Sequence, residues 1–169
     1  GGSGGDNLFT GAGDDTIAGN DGDDVIGSGT GSDSVYGGTG ADNIDAEAGD
    51  DTILGQAGDD TVYAGAGADD VSGGSGADEL FGDDDADTFR IEDGFGNDTI
   101  TGGEGGTDND AIDLSALSGP VTVTYTGDEA GTITDGADTI TFSEVEQLIL
   151  TDEADVVDAT ADTAGVDVD

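Results

Sequence analysis

The sequence predicts an all-β fold, a parallel β-solenoid in which two nine-residue repeats form one coil. Three features of residues 1–90 predict it. Aspartate recurs every nine residues, at Asp6, Asp15, Asp24, Asp33, Asp42, Asp51, Asp60, Asp69, Asp78 and Asp87. A large apolar side chain stands two residues after each aspartate, and glycine stands two residues before it, except at Asp85. A period this strict indicates a stack of like coils.

Each repeat divides into a turn and a short strand. In residues 37–45 the first six are turn formers, because glycine adopts backbone angles with positive φ that other residues resist. The last three, Asn43, Ile44 and Asp45, are predicted to form a strand. Side chains alternate along a strand, so Ile44 points to one side and its neighbours to the other.

Stacked strands would align the apolar side chains in two ladders that face each other across a thin core. The first ladder holds Leu8, Ile26, Ile44, Val62 and Leu80. The second holds Ile17, Val35, Ile53, Val71 and Phe89. Two repeats then make one turn of the solenoid, and the parallel strands of successive coils lie about 4.8 Å apart.

Composition restricts the partners that the chain can have. The 169 residues include 42 acidic side chains and one basic side chain, Arg90, which gives a net charge of −41. Nucleic acid and anionic membranes are excluded by the sign of this charge, whereas cations, basic proteins and neutral sugars remain. The chain has no Cys and no apolar run of membrane-spanning length. We expect Arg90 to neutralise nearby acidic groups at the surface.

The chain needs a stabiliser besides its core. High charge, 33% hydrophobic residues and 5% aromatic residues are typical of disordered chains. Aspartates of alternate repeats would stack in two columns, where neighbouring carboxylates about 5 Å apart repel by about 3 kcal/mol at an effective dielectric near 20. A divalent cation between them converts repulsion into attraction. The turns offer only oxygen ligands, which favour Ca²⁺ over Mg²⁺ or Zn²⁺.

The repeat is similar to that of a known family. The pattern Gly-Gly-x-Gly-x-Asp-x-apolar-x occurs unaltered at residues 1–9, 37–45 and 73–81, and it resembles the nonapeptide of the RTX (repeats-in-toxin) calcium-binding family. The resemblance implies a right-handed parallel β-roll with each Ca²⁺ between consecutive turns on one edge. Position six of both repeats gives a carboxylate. Carbonyl oxygens come from positions two and four of the first repeat and from positions one and three of the second.

Applied to this sequence, the resemblance implies about eight calcium sites. The first would use Gly2, Gly4 and Asp6 together with Gly19, Asp21 and Asp24. The second would use Gly11, Gly13 and Asp15 together with Ser28, Thr30 and Asp33. The rule continues to the pair of Asp69 and Asp87. Further donors in this set are Asn20, Gly22, Gly29, Gly31, Gly37, Gly38, Thr39, Gly40, Gly49, Gly58 and Gly67.

Some repeats depart from the pattern. Position two carries Asn20, Glu47, Gln56 or Asp83 in four repeats. Asn tolerates the left-handed region, and Glu and Gln do so less well. Because any residue has a backbone carbonyl, we expect these sites to be weaker rather than lost.

The chain is predicted to have four segments. Residues 1–90 form the regular roll, 91–114 its irregular end repeats, 115–150 a β-strand excursion or cap, and 151–169 a repeat-like re-entry with an acidic tail. The stretch 87–115 resembles the end of the roll in secreted RTX metalloproteases, so Asp98 and Asp110 are candidate ligands of further calcium ions. Strands are predicted at 121–125, 131–134 and 139–142, as a β-hairpin that covers the side or the end of the roll.

Two functions remain open. The first is an extracellular calcium-dependent structural module of a larger secreted or surface protein, such as an adhesin, matrix or fibre component. The second is the non-catalytic roll of a secreted enzyme, such as a protease or polysaccharide epimerase. The chain lacks His, Cys and Lys and has no zinc-protease motif, so we do not predict an enzyme. The resemblance implies type I secretion of the unfolded chain from a Gram-negative bacterium and folding outside the cell.

The outward positions leave the partner open. Position nine of several repeats carries Phe9, Tyr36, Leu54, Tyr63 or Phe81. We interpret these side chains as lateral packing or loose surface, and the alternative is a face for a polysaccharide, a protein or ice. Position seven is too mixed in residue type for a flat ice-binding face. Coils can also add end to end, so self-association into filaments is a further hypothesis. The chain opens within the array of repeats and without Met, and we expect it to be part of a longer protein.

Overall fold

A computed structural model describes residues 1–107, 109–158, 160 and 167–168, and these residues form an all-β structure. The strands are β1 (Asn7–Ala12), β2 (Thr16–Asp21), β3 (Val25–Thr30), β4 (Ser34–Thr39), β5 (Asn43–Asp45), β6 (Thr52–Ala57), β7 (Thr61–Ala66), β8 (Asp70–Ser75), β9 (Glu79–Asp84), β10 (Thr88–Arg90), β11 (Thr99–Thr101), β12 (Ala111–Asp113), β13 (Thr122–Gly127), β14 (Ala130–Thr134), β15 (Thr139–Ser143), β16 (Gln147–Ile149), β17 (Val156–Asp158) and β18 (Asp167–Val168). Over this part of the chain no helix is long and apolar enough to cross a membrane.

The strands alternate between two sheets. One sheet has the order β1-β3-β5-β7-β9-β11-β15-β14-β13-β17, and the other has the order β18-β16-β12-β10-β8-β6-β4-β2. Leu8 pairs in register with Ile26, and Ile26 with Ile44, along parallel strands. Each partner lies two repeats further along the sequence. The predicted parallel solenoid with two nonapeptides per coil is therefore confirmed.

The core is the thin layer between the two sheets. The apolar residue of each repeat is almost fully buried from Ile17 onwards, and only Leu8 in the first coil is half-buried. Both predicted ladders are present, and they continue through Ile100 and Ile112 into the irregular repeats. Each buried side chain of this size contributes about 1.5–3 kcal/mol.

The strands are longer than the three residues predicted for each repeat. Strands β1–β4 and β6–β9 have six residues each, because the first three positions of the following repeat continue the ladder. Gly11 pairs with Gly29, and Ala12 with Thr30, one coil further on. The turn is thus confined to positions four to six. The glycine-rich positions one to three bond from coil to coil, which short-range turn propensity does not reveal.

The predicted hairpin is confirmed, and it lengthens the roll. Strands β13, β14 and β15 pair antiparallel with one another. β15 also pairs parallel with β11, so the three strands extend the ten-stranded sheet beyond the repeats. After the hairpin the chain returns to the other sheet, where β16 pairs parallel with β12 and buries Leu148.

Within the repeat-like re-entry predicted at 151–169, strand β17 forms and pairs parallel with β13. Its apolar side chains are not buried, because Val156 is 58% exposed and Val157 is 36% exposed. This strand therefore adds backbone pairing at the end of the sheet without adding to the core. Most of the acidic tail predicted to follow it lies outside the described residues.

Candidate metal centre

Each turn brings the backbone of one coil close to that of the next. Gly40, at position four, has a φ of 124°. A Cβ added there would lie 2.5 Å from the carbonyl oxygen of Gly22 in the preceding coil. Position four therefore favours glycine both for its backbone angle and for its close approach. The position-six aspartate stands two residues after this glycine, except that Asp87 follows Asp85, whose φ is also positive at 78°.

The aspartates form two columns, one on each edge of the roll. The first column contains Asp6, Asp24, Asp42, Asp60, Asp78 and Asp98. The second column contains Asp15, Asp33, Asp51, Asp69, Asp87 and Asp110. Within both columns the backbone N–H of each aspartate donates to Oδ1 of the next, at 2.6–3.0 Å. This hydrogen bond to Oδ1 therefore fixes the orientation of each carboxylate within its column.

The second carboxylate oxygen is buried in both columns without a hydrogen-bond donor. This holds for Oδ2 of Asp24, Asp42, Asp60 and Asp78 in the first column and of Asp33, Asp51, Asp69 and Asp87 in the second. These eight residues are only 1–2% exposed. A buried carboxylate oxygen is costly unless it meets a donor or a cation. Eight such oxygens, four in each column, indicate binding of cations.

The protonation equilibria of the columns reflect the same burial. Loss of hydration raises the pKa of Asp60 to about 7 and that of Asp87 to about 8. The backbone N–H bond lowers each pKa, and neighbouring carboxylates raise it again. The same causes raise the pKa of Asp51 and of Asp69 to about 6. Asp60 and Asp87 would therefore carry a full negative charge at neutral pH only with help from a positive charge.

Backbone carbonyls complete the donor set. The point where a Cβ of Gly37 would lie is 2.6 Å from Oδ2 of Asp42 and 2.7 Å from the carbonyl oxygen of Gly55. At Gly55 the corresponding point is 2.5 Å from Oδ2 of Asp60. Carboxylate and carbonyl oxygens thus converge beside each of these glycines, where the absence of a Cβ leaves room for their close approach. Oxygen donors of these two kinds are the ligands that Ca²⁺ prefers, so the residues present fit Ca²⁺.

The carboxylates alone do not make a site. Among the described residues no group of three or more His, Cys, Asp or Glu side chains is arranged to hold a metal. An ion in either column would therefore depend on carbonyl oxygens as well. Position-three carbonyls already accept bonds between coils, since Gly4 N–H donates to Asp21 O at 2.6 Å and Gly13 N–H to Thr30 O at 2.7 Å. A carbonyl oxygen has a second lone pair for a metal.

The structure brings the predicted donors together on the two edges, and their role as ligands stays a prediction. The position-two residues that depart from glycine adopt the positive φ that glycine has at this position in other repeats, such as 128° at Gly38. Asn20, Glu47, Gln56 and Asp83 have φ values of 80°, 70°, 82° and 76°. Their carbonyls can therefore point as those of glycine do, at the cost of left-handed strain.

Sequence reasoning missed the end of the second column. The N–H of Asp110 donates to Oε2 of Glu146 at 2.6 Å, so a glutamate from beyond the hairpin takes the next place in the column. A signal was present: Glu146 stands two residues before the buried Leu148, as each aspartate stands before its apolar residue. The longer side chain and the altered spacing concealed it.

Arg90 lies outside both columns. Its Nε donates to Oδ1 of Asp70 on the neighbouring strand, and its side chain is largely exposed. The expectation that this residue neutralises a nearby acid is confirmed. A surface pair of this kind contributes little to stability.

A parallel β-roll with buried aspartate columns defines a calcium-binding solenoid module. The model of the RTX calcium-binding nonapeptide repeat matches four times, at residues 1–35, 36–71, 63–90 and 90–116. These matches cover well over half of the chain, which therefore belongs to the RTX calcium-binding nonapeptide repeat family. Repeats of this family bind Ca²⁺ as a structural module, and no catalytic family is shown for the chain.

Comparison with other proteins adds little beyond the family. No curated protein matches the sequence. Among solved structures, the chain is similar to the extracellular lipase LipA from Serratia marcescens, with 18% sequence identity and a TM-score of 0.36. The match covers 84% of this chain and 36% of the lipase chain.

Proposed function

We propose that the chain is an extracellular structural module that folds when calcium fills the two aspartate columns, within a larger secreted or surface protein. The observation that carries the proposal is the set of eight buried carboxylate oxygens without donors. Calcium ions bridging successive aspartates, each with carbonyl oxygens from both turns, would satisfy them. About eight ions fit the regular roll, and Asp98 and Asp110 extend the columns to further pairs.

Calcium can supply the stability that the thin core lacks. Extracellular calcium modules bind with dissociation constants of about 10⁻⁴–10⁻³ M. At a tenfold excess of calcium, each site stabilises the folded state by about 1.4 kcal/mol. Eight sites then contribute about 11 kcal/mol, which is comparable to the whole stability of an ordinary domain. In a cytosol with little free calcium this contribution disappears.

The proposal links folding to location. RTX repeats are typical of proteins that leave the cell by type I secretion, so we propose that this chain is secreted unfolded from a Gram-negative bacterium. It then folds in external calcium. As parent protein we favour an adhesin, matrix or fibre component. The accessory roll of a secreted enzyme would use the same module, and the sequence flanking the chain would distinguish the two.

Far-ultraviolet circular dichroism tests the calcium dependence. We expect a disordered spectrum in EGTA and a β-sheet spectrum once free calcium reaches the millimolar range. Magnesium at equal concentration and ionic strength is the control, and it should not restore the β-sheet signal, because Mg²⁺ demands a stricter octahedron. A folded spectrum in EGTA, or equal folding with magnesium, would contradict the proposal.

A further inference from the structure

Position one of the repeat differs between the two edges. Repeats of the first column begin with Gly1, Gly19, Gly37, Gly55 and Gly73. Repeats of the second column begin with Thr10, Ser28, Ala46 and Ala64, and return to glycine only at Gly82. Ser28, Ala46 and Ala64 are fully buried. The first edge therefore has no side chain at this position, whereas most of the second edge does.

This position borders the space where the donor oxygens converge. At Gly55 an added Cβ would lie 2.5 Å from Oδ2 of Asp60 and 2.6 Å from the carbonyl oxygen of Gly73. Real Cβ atoms essentially never come within 3.0 Å of such atoms. A side chain at position one must therefore hold the carboxylate oxygen and the carbonyl oxygen further from the backbone of this residue, which changes the spacing of two predicted ligands.

Hydroxyl groups also engage carbonyl donors on the second edge. Thr10 Oγ1 donates to the carbonyl oxygen of Ser28 at 2.6 Å, and Ser28 Oγ donates to that of Ala46 at 2.9 Å. Both carbonyls belong to position one of the following coil, which is a predicted ligand. Glycine at position one has no hydroxyl, so no hydroxyl of this kind competes with a metal for these carbonyls on the first edge.

We infer that the residue at position one sets the calcium affinity of each site, so that the two edges bind calcium unequally. The inference rests on the proposed function. Tight binding is expected at the five first-edge sites, whose first repeat has glycine at position one. It is also expected at the second-edge site between Asp87 and Asp110, whose first repeat begins with Gly82. The second-edge sites that start at Thr10, Ser28, Ala46 and Ala64 bind more weakly. We expect about a tenfold difference in the calcium concentration at half-occupancy.

Calcium occupancies in crystals of the full chain test this directly. Crystals grown in saturating calcium are moved stepwise into lower calcium, and the occupancy of each ion is refined. We expect the ion between Asp51 and Asp69 to be lost before the ion between Asp42 and Asp60. The ion between Asp87 and Asp110 should persist with the first-edge ions, which separates the effect of position one from that of the edge itself.

A matched pair of variants shows whether the methyl group is the cause. Ala46→Gly should retain the ion between Asp51 and Asp69 down to calcium concentrations near those of the first edge. Thr52→Ser removes a methyl group from the exposed position seven of the same repeat, which supplies no predicted ligand, and it should leave the order of loss unchanged. Equal loss at both edges, or equal effects of the two variants, overturns the inference while the proposed function stands. Absence of ions from every site in saturating calcium overturns both.

Discussion

Replacing Asp60 by asparagine should affect the calcium-loaded and calcium-free proteins in opposite directions. Asp60 is 1% exposed, its Oδ1 accepts the N–H of Asp42 at 2.8 Å, and its Oδ2 has no donor. Asparagine keeps the acceptor at Oδ1 and replaces the charged oxygen by an amide group. The change removes a ligand from two proposed sites, one shared with Asp42 and one shared with Asp78.

The magnitude follows from those two sites. At a tenfold excess of calcium, each is worth about 1.4 kcal/mol, so the loaded protein should lose about 2.8 kcal/mol of unfolding free energy. For a chain of this size that corresponds to a fall in Tm of roughly 6–11 °C. In EGTA the sign reverses, because the variant no longer buries a carboxylate whose pKa is raised to about 7 by burial. Any residual β-structure should then increase.

Thermal unfolding followed by circular dichroism, in calcium and in EGTA, measures both effects. Asp45→Asn is the matched control, since Asp45 lies exposed in β5 and outside the columns. It should change Tm by little more than a surface substitution does, about 1–2 °C. The reasoning fails if Asp60→Asn leaves Tm in calcium unchanged, or if Asp45→Asn lowers it equally.

Three further predictions concern the turns and pH. Gly40→Ala should destabilise the calcium-loaded protein by at least about 1–2 kcal/mol in thermal unfolding, because φ is 124° and the added Cβ meets a carbonyl of the preceding coil. Gly11→Ala is the control and should not destabilise the protein, because the added Cβ meets nothing within 4 Å. Glu47→Gly should raise stability by about 0.5–1 kcal/mol by removing left-handed strain, whereas Glu79→Gly in a strand should lower it. In EDTA the β-sheet signal should be greater at pH 5 than at pH 8.5. The folded-state pKa of Asp87 is raised from 3.8 to about 8, so its protonation stabilises the fold fully below pH 3.8, and this stabilisation is lost as the pH rises to about 8. An equal signal at both pH values would contradict this.

The sequence predicted the coil, the ladders and the columns because one nine-residue period fixes all three. Each residue class recurs in phase, so placing Asp42 and Ile44 in one coil places their counterparts in every other. The length of the strands was not predictable in the same way. Pairing at positions such as Gly11 and Gly29 depends on contact between coils, which local turn propensity does not report.

The irregular end was predicted less completely than the roll. Strands β13 to β15 follow from alternation and turn residues, but their union with β11 depends on tertiary pairing. Glu146 joins the second column from beyond the repeats, where no period points to it. The unequal residues at position one were visible in the sequence, but their effect could be recognised only from the distances between oxygens in the turns.

The antiparallel strands at the carboxyl end give the stack a direction of growth. Strands β13, β14 and β15 meet through short loops, whereas every parallel pair in the repeats must first close a loop of two nonapeptides. Short closures cost less entropy and form faster. We therefore expect strands β13 to β15 to form first, and strand β15 then to pair with β11. The coils would then fold one after another toward the amino end, and each would bind its calcium ions as it pairs with the coil that folded before it.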